Sequence, residues 1–229
     1  MIAGALGIRL AGEPVWLLPD RALLLDHGEL LIADPHFGKA AVFRRHGIPI
    51  PPGGTDHDLA RLDRLLAGSG AGTLTVLGDF LHGPAAADDP WLSAFRRWRD
   101  RHSALTIHLL IGNHDRASGL VRIAADWGLQ CLEQRLAGPF LLVHEPCEVQ
   151  ARHVLCGHLH PVHVLRGGGD RLRLPVFWSR PGYTVLPGFG AFTGGQPVVP
   201  AAGDRLYAAG DEAVVDLGPA PARRRRTGA

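Results

Sequence analysis

Residues 73–83 read TLTVLGDFLHG. An apolar run through Leu74, Val76 and Leu77 stops at Gly78 and delivers Asp79. A short apolar run closed by glycine has the pattern of a buried strand. A carboxylate just past such a strand is either a helix cap or a ligand, and this stretch alone leaves both open. The chain then does the same thing four more times. LLIADPH ends in Asp34 and His36, HLLIGNHD in Asn113, His114 and Asp115, FLLVHEP in His144, and HVLCGHLH in His158 and His160. These exits offer the oxygen and nitrogen donors that borderline divalent metals take. Asp79 is expected at the centre, one carboxylate touching two metals.

A two-metal hydrolytic site holds its ions about 3.5–4 Å apart and clamps the attacking and leaving oxygens between them. On an extended strand end, residues i and i+2 point the same way, so Asp34 and His36 can share one metal. His158 and His160 have the same spacing, and a pair at a turn can straddle two metals. Asn113 adds a neutral carbonyl oxygen and His144 an imidazole.

The chain has 229 residues, enough for a substantial core. The five motifs lie between residues 34 and 160 with no linker between them, which predicts one domain over residues 1–218. A basic Pro/Ala/Arg tail over 219–229 is expected to be disordered. Apolar runs alternate with helix-like segments, so the fold class is α/β. The formal charge of +2 names no partner. Arg223–Arg226 sit together in the tail and leave the remainder slightly acidic. Three cysteines without a CxxC fit a reducing compartment. No signal peptide and no membrane-length apolar run are visible, and a cytoplasmic protein is expected.

Short hairpins are expected before Ala33, a short helix over Ala40–His46, and a loop over Gly47–Gly54. A helix over Asp56–Ala67 is predicted with Thr55 as its N-cap and Leu59, Leu62, Leu65 and Leu66 facing inward. A second helix is predicted over Asp88–Arg101, with Trp91, Leu92, Phe95 and Trp98 inward and its arginines in solvent. Leu105–Ile111 is the next strand, and a helix over Ala117–Trp127 follows it. From Cys131 the pattern turns β-rich.

DPH, GDFLH, GNHD, a lone histidine after an apolar run, and GHLH occur in that order. Together they resemble the five blocks of the calcineurin-like metallophosphoesterases. The resemblance implies two packed mixed β-sheets flanked by helices, a four-layer αββα sandwich. It places Asp34, His36, Asp79 and His160 on one metal, and Asp79, Asn113, His144 and His158 on the other. It implies two divalent ions, Mn²⁺ foremost, with Fe²⁺ or Zn²⁺ as alternatives. His114 would stabilise the transition state and protonate the leaving oxygen, and Asp115 would orient His114. His82 stands where many members carry an acidic residue.

A longer run, DPHFGKAAVFRRHGIPIPPG to LPGFGAFTGG, is similar to the bacterial ligase-associated DNA-damage-response subgroup, described as endonucleases. That implies a phosphodiesterase acting on DNA in repair, associated with an ATP-dependent DNA ligase, a helicase and an exonuclease. Arg44, Arg45, Arg116 and the arginine tail are candidates to meet phosphate. Lys39, the single lysine beside 23 arginines, is another. Two of these have a plain alternative: Arg116 as a surface salt bridge, Lys39 as compositional drift. Two other functions remain open in the sequence. One is a phosphoesterase for a small nucleotide or nucleotide-lipid. The other is a non-catalytic scaffold, against which stands the complete ligand set.

Overall fold

The computed structural model describes residues 2–51 and 53–220. The Arg223–Arg226 cluster lies outside the described residues. The chain opens with four strands, β1 (Leu6–Leu10), β2 (Glu13–Leu18), β3 (Ala22–Leu25) and β4 (Glu29–Ile32), joined as antiparallel hairpins. Helices α1 (Lys39–Arg45) and α2 (Gly54–Ser69) follow. Strand β5 (Thr73–Val76), helix α3 (Pro90–Arg101), strand β6 (Thr106–Leu110), helix α4 (Asn113–Ser118) and strand β7 (Leu129–Leu132) complete the first half. Strands β4 to β7 pair in parallel, so one seven-stranded mixed sheet runs β1 to β7 in sequence order.

The second half is strands alone: β8 (Arg135–Ala137), β9 (Phe140–Leu142), β10 (His153–Cys156), β11 (Pro161–Gly167), β12 (Asp170–Arg180), β13 (Tyr183–Val185), β14 (Gln196–Pro197), β15 (Arg205–Ala209) and β16 (Val214–Pro219). They form a second mixed sheet ordered β14-β11-β12-β13-β10-β9-β8, with β15 and β16 attached through β12. The last strand closes at Pro219, one residue into the expected tail, and the Ala220 amide still bonds Asp204.

Two apolar layers hold these sheets. One lies between the sheets, where Leu17, Leu31, Leu77 and Leu110 meet Leu142, Leu155, Phe177 and Leu186. The other lies between the first sheet and the helices, where Leu59 and Leu62 of α2 and Phe95 and Trp98 of α3 cover Leu30, Leu74 and Ile107. Each leucine buried in this way contributes about 2 kcal/mol. The central parallel strands are buried on both faces, which is why they appear as continuous apolar runs instead of alternating ones. The outer side of the second sheet carries only small clusters without helical residues, such as Val154, Cys156, Tyr183 and Val185, so that fourth layer is thin.

Helix boundaries depart from expectation in two places. Helix α2 begins at Gly54 behind Gly53 in a left-handed conformation, not behind a Thr55 cap. The Thr55 hydroxyl instead accepts the Gly38 amide at 3.4 Å. The helix expected over Ala117–Trp127 does not form. Helix α4 spans Asn113–Ser118, left-handed Gly119 ends it, and two single 3₁₀ turns follow at Leu120–Arg122 and Ala125–Trp127.

Candidate metal centre

Strands β4, β5 and β6 are parallel, as are β9 and β10, so their exits open at one edge of the sandwich. That edge is where open sheets carry their sites. Asp34 and His36 follow β4, Asp79 follows β5, and Asn113 starts α4 after β6. His144 follows β9, and His158 and His160 follow β10. All seven predicted metal ligands therefore come from the exits that the sequence marks.

The backbone there is unusual. Eight described non-glycine residues have positive φ, and five are predicted ligands: Asp34 (51°), His36 (49°), Asp79 (50°), His158 (69°) and His160 (45°). Residues held in this region cluster at functional sites, because packing elsewhere must enforce them. It also corrects the expected reason for the Asp34–His36 pairing. The two do not share a face of an extended strand; left-handed turns on either side of Pro35 bring both inward.

The glycine before each central ligand is needed for space. A Cβ at Gly78 would land on the His144 imidazole, and one at Gly112 on the Asp79 carboxylate. A Cβ at Gly157 would lie 2.6 Å from Asp34 Oδ2 and 2.9 Å from the Leu77 oxygen. The stations interlock, each ligand filling the gap left by another station's glycine.

Two donor groups result. Asp34, His36 and His160 form one, and Asp79, His144 and His158 the other, each with its ligand atoms within 4.8 Å of one another. Asp79 faces both: Oδ2 is 3.9 Å from His36 Nε2, and Oδ1 is 3.6 Å from His144 Nε2. His144 donates its Nδ1–H to the Leu77 carbonyl at 2.9 Å, which leaves a bare lone pair on Nε2. That nitrogen sits 3.1 Å from both Asn113 Oδ1 and His158 Nδ1. His160 Nε2 is 3.4 Å from Asp34 Oδ1.

The set fits divalent cations. Asp34 and Asp79 are buried, and no Arg or Lys pairs with either among the described residues. Their polar neighbours are histidines and the amides of His158 and His114. Buried carboxylates of this kind are otherwise costly. His36 Nδ1 and His160 Nε2 are buried without a hydrogen-bond partner. Burial first, then His160, Lys39, His114 and His82, lower the His36 pKa to about 2, so its imidazole is neutral and able to ligate.

His114 lies beside the two groups, its ring 5.0 Å from that of His36. Its Nδ1 donates to the His82 carbonyl at 2.9 Å. That contact orients the ring, not Asp115. The Asp115 oxygens accept the amides of Gly112 and Leu81 at 3.0 and 3.1 Å, so Asp115 fixes the start of α4. Burial first, against those two amides, raises the Asp115 pKa to about 6. His82, whose role the sequence left open, stacks on His114 at 5.0 Å and joins it and His36 in a third nitrogen cluster. Burial, then Lys39 and His114, lower the His82 pKa to about 4.

Lys39 begins α1 beside His36, and burial lowers its pKa. The other substrate candidates have structural partners. Arg44 donates to the Ile50 carbonyl at 3.3 Å. Arg45 donates to both oxygens of Asp89, at 2.7 and 3.0 Å, and to the Pro84 carbonyl. Arg116 forms an exposed ion pair with Glu133.

A comparison with protein-family models finds no match, and neither does one with curated proteins. Among solved structures, the Pseudomonas putida nuclease MPE matches with a TM-score of 0.81 and 41% identity, over 93% of this chain and 100% of that one. The Escherichia coli phosphoesterase Yfce matches with a TM-score of 0.45 and 18% identity, over 84% of this chain and 99% of that one. With the full set of motif residues gathered at one edge, and with that likeness to the Pseudomonas nuclease, the chain belongs to the calcineurin-like metallophosphoesterases.

Proposed function

We propose that this metallophosphoesterase is a binuclear metal-dependent phosphodiesterase that cuts nucleic acid, DNA foremost. The observation that carries the reading is the position of Asp79, with one carboxylate oxygen turned to each donor group. Asp34, His36, Asp79 and His160 would hold one ion, and Asp79, Asn113, His144 and His158 the other. Oxygen and nitrogen donors without thiolate suit Mn²⁺. Bound cations supply Lewis-acid polarisation of the phosphoryl group and lower the pKa of coordinated water.

The chain's own residues do the rest. His114 has its Nδ1–H committed to the His82 carbonyl. As imidazolium, its Nε2–H is therefore the proton available to the leaving oxygen. Asp115 anchors the backbone on which His114 rides. The likeness to a nuclease supports a polynucleotide substrate, and the resemblance to the ligase-associated subgroup supports work in DNA repair beside a ligase, a helicase and an exonuclease.

The test is Asp79→Asn, assayed on bis-p-nitrophenyl phosphate with Mn²⁺. Hydrolysis should fall to background. Wild-type turnover in that variant would refute the site.

A further inference from the structure

Two hollows flank helix α2, one opening beside the metal centre and one beyond it. The nearer is a narrow cleft walled by His36, Lys39, Thr55, Asp58, Phe192 and Thr193. The farther is a cavity of about 620 Å³ whose wall carries Arg21, Arg61, Arg64 and Arg173 against Asp20 and Asp211. They lie on either side of one contact, where the Ala191 amide donates to both oxygens of Asp58 at 3.1 Å. Asp58 and Phe192 belong to the cleft, while their neighbours His57, Arg61 and Ala191 belong to the cavity. The cleft beside His36 and the cavity are thus neighbours, with that contact between them and the cavity about one turn of α2 farther on.

The charges in the cavity are not equivalent. Arg61 is buried and fully used: it bonds Asp20, Asp58 and the Phe189 carbonyl. It answers Asp20 and Asp58 from within. Arg64 is different, with 61% of its side chain exposed and Asp20 only at 3.5 Å. Arg173 is exposed and donates to the Gly195 carbonyl, which leaves the rest of its guanidinium free. Two arginine forks with spare donors in an open cavity suit bidentate phosphate contact.

Phe192 supplies the second half. It is the one aromatic among the exposed large apolar side chains of the described residues, at 39% exposure. Its ring rests on Gly54, where a Cβ would lie only 2.5 Å from the ring. The platform is held flat by the missing side chain at the start of α2, between Lys39 and the arginines. Aromatic faces beside basic grooves stack nucleic-acid bases whatever their sequence.

We propose that this surface seats the polynucleotide on one side of the scissile phosphate. A base stacks on Phe192, and the next phosphates lie against Arg64 and Arg173. The inference rests on the nuclease reading and adds a direction to it.

The test uses the Mn²⁺-loaded full chain with two variants, Arg64→Ala/Arg173→Ala and Phe192→Leu. Each is assayed on a labelled oligothymidylate and on bis-p-nitrophenyl phosphate, which has no neighbouring nucleotides to lay along the cavity. Phe192→Leu should lower kcat/KM on the oligonucleotide by about 5–160-fold. The double arginine variant should weaken cleavage and flatten the log–log salt slope by about 1.4, at about 0.7 per lost contact on single strands. Hydrolysis of the small ester should stay at the wild-type level. Wild-type oligonucleotide cleavage and salt slope in both variants would overturn the proposal. Equal losses on both substrates would also overturn it, because the residues would then be acting on the metal centre. A wild-type protein that hydrolyses the ester and cuts no polynucleotide would overturn the nuclease reading, and this inference with it.

Discussion

Asp34, His36, Asp79, His158 and His160 each sit in a left-handed conformation that costs a side-chain-bearing residue roughly 1–2 kcal/mol. Five of them carry a strain comparable with the whole net stability of an ordinary domain. The structure keeps them because the site needs side chains where the backbone favours glycine. This feature was not legible in the sequence. The DxH spacing suggested two side chains on one face of a strand, and the correct pairing arises from a different backbone path. The glycines at 78, 112 and 157 were visible as strand terminators, but their reason, the imidazole or carboxylate filling each Cβ position, needed the partner stations in place. His114 carries the residue-scale prediction. None of the predicted ligand atoms depends on its ring, whose Nδ1 is bound to His82. His114→Ala should therefore keep its metal content by elemental analysis and lose about 10²–10⁴-fold in turnover. Loss of metal in that variant would mean that the ring itself is a ligand.

Among the elements, amphipathic helices were legible and capping was not. The leucine stripe of α2 and the aromatic stripe of α3 are buried as their spacing predicts. Thr55 had the chemistry of a cap, yet Gly53 supplies the turn and the threonine serves Gly38. Residues 117–127 have helical periodicity, but the helix starts earlier, at Asn113, and Gly119 breaks it. Sequence periodicity does not register where a ligand must sit. Arg45 shows the same limit. It appeared as a phosphate contact and instead ties α1 to the loop before α3 through Asp89. Burial pushes the Asp89 carboxyl up, but the Ala86 amide and Arg45 more than offset it, and its pKa falls below the ordinary 3.8. A depressed carboxyl contributes stability that is fully present above its unfolded pKa and is lost as pH drops through the folded value. Asp89→Asn should cost about 1 kcal/mol in urea melts at pH 7 and less at a pH below the carboxyl's folded-state pKa. An equal loss at both pH values would show that the charge is not what holds the loop.

At the scale of the whole molecule, the site exists because two sheets stack with their exits at one edge. Asp34, Asp79 and Asn113 come from the first sheet, and His144, His158 and His160 from the second. The apolar layer between them sets their spacing. The fold class was legible because parallel, doubly covered strands leave unbroken apolar runs that end at their ligands. The path beside α2 was less so: Phe192 and Arg173 lie far from Arg64 in sequence, and only the packing of the second sheet brings them together. The proposed chemistry depends on the two donor groups binding two separate cations with Asp79 between them. The most direct test is anomalous diffraction from crystals of the Mn²⁺-loaded protein. It should show two peaks, one against Asp34, His36 and His160 and one against Asn113, His144 and His158, both touching Asp79. A single peak, or a pair lying away from Asp79, would contradict the account.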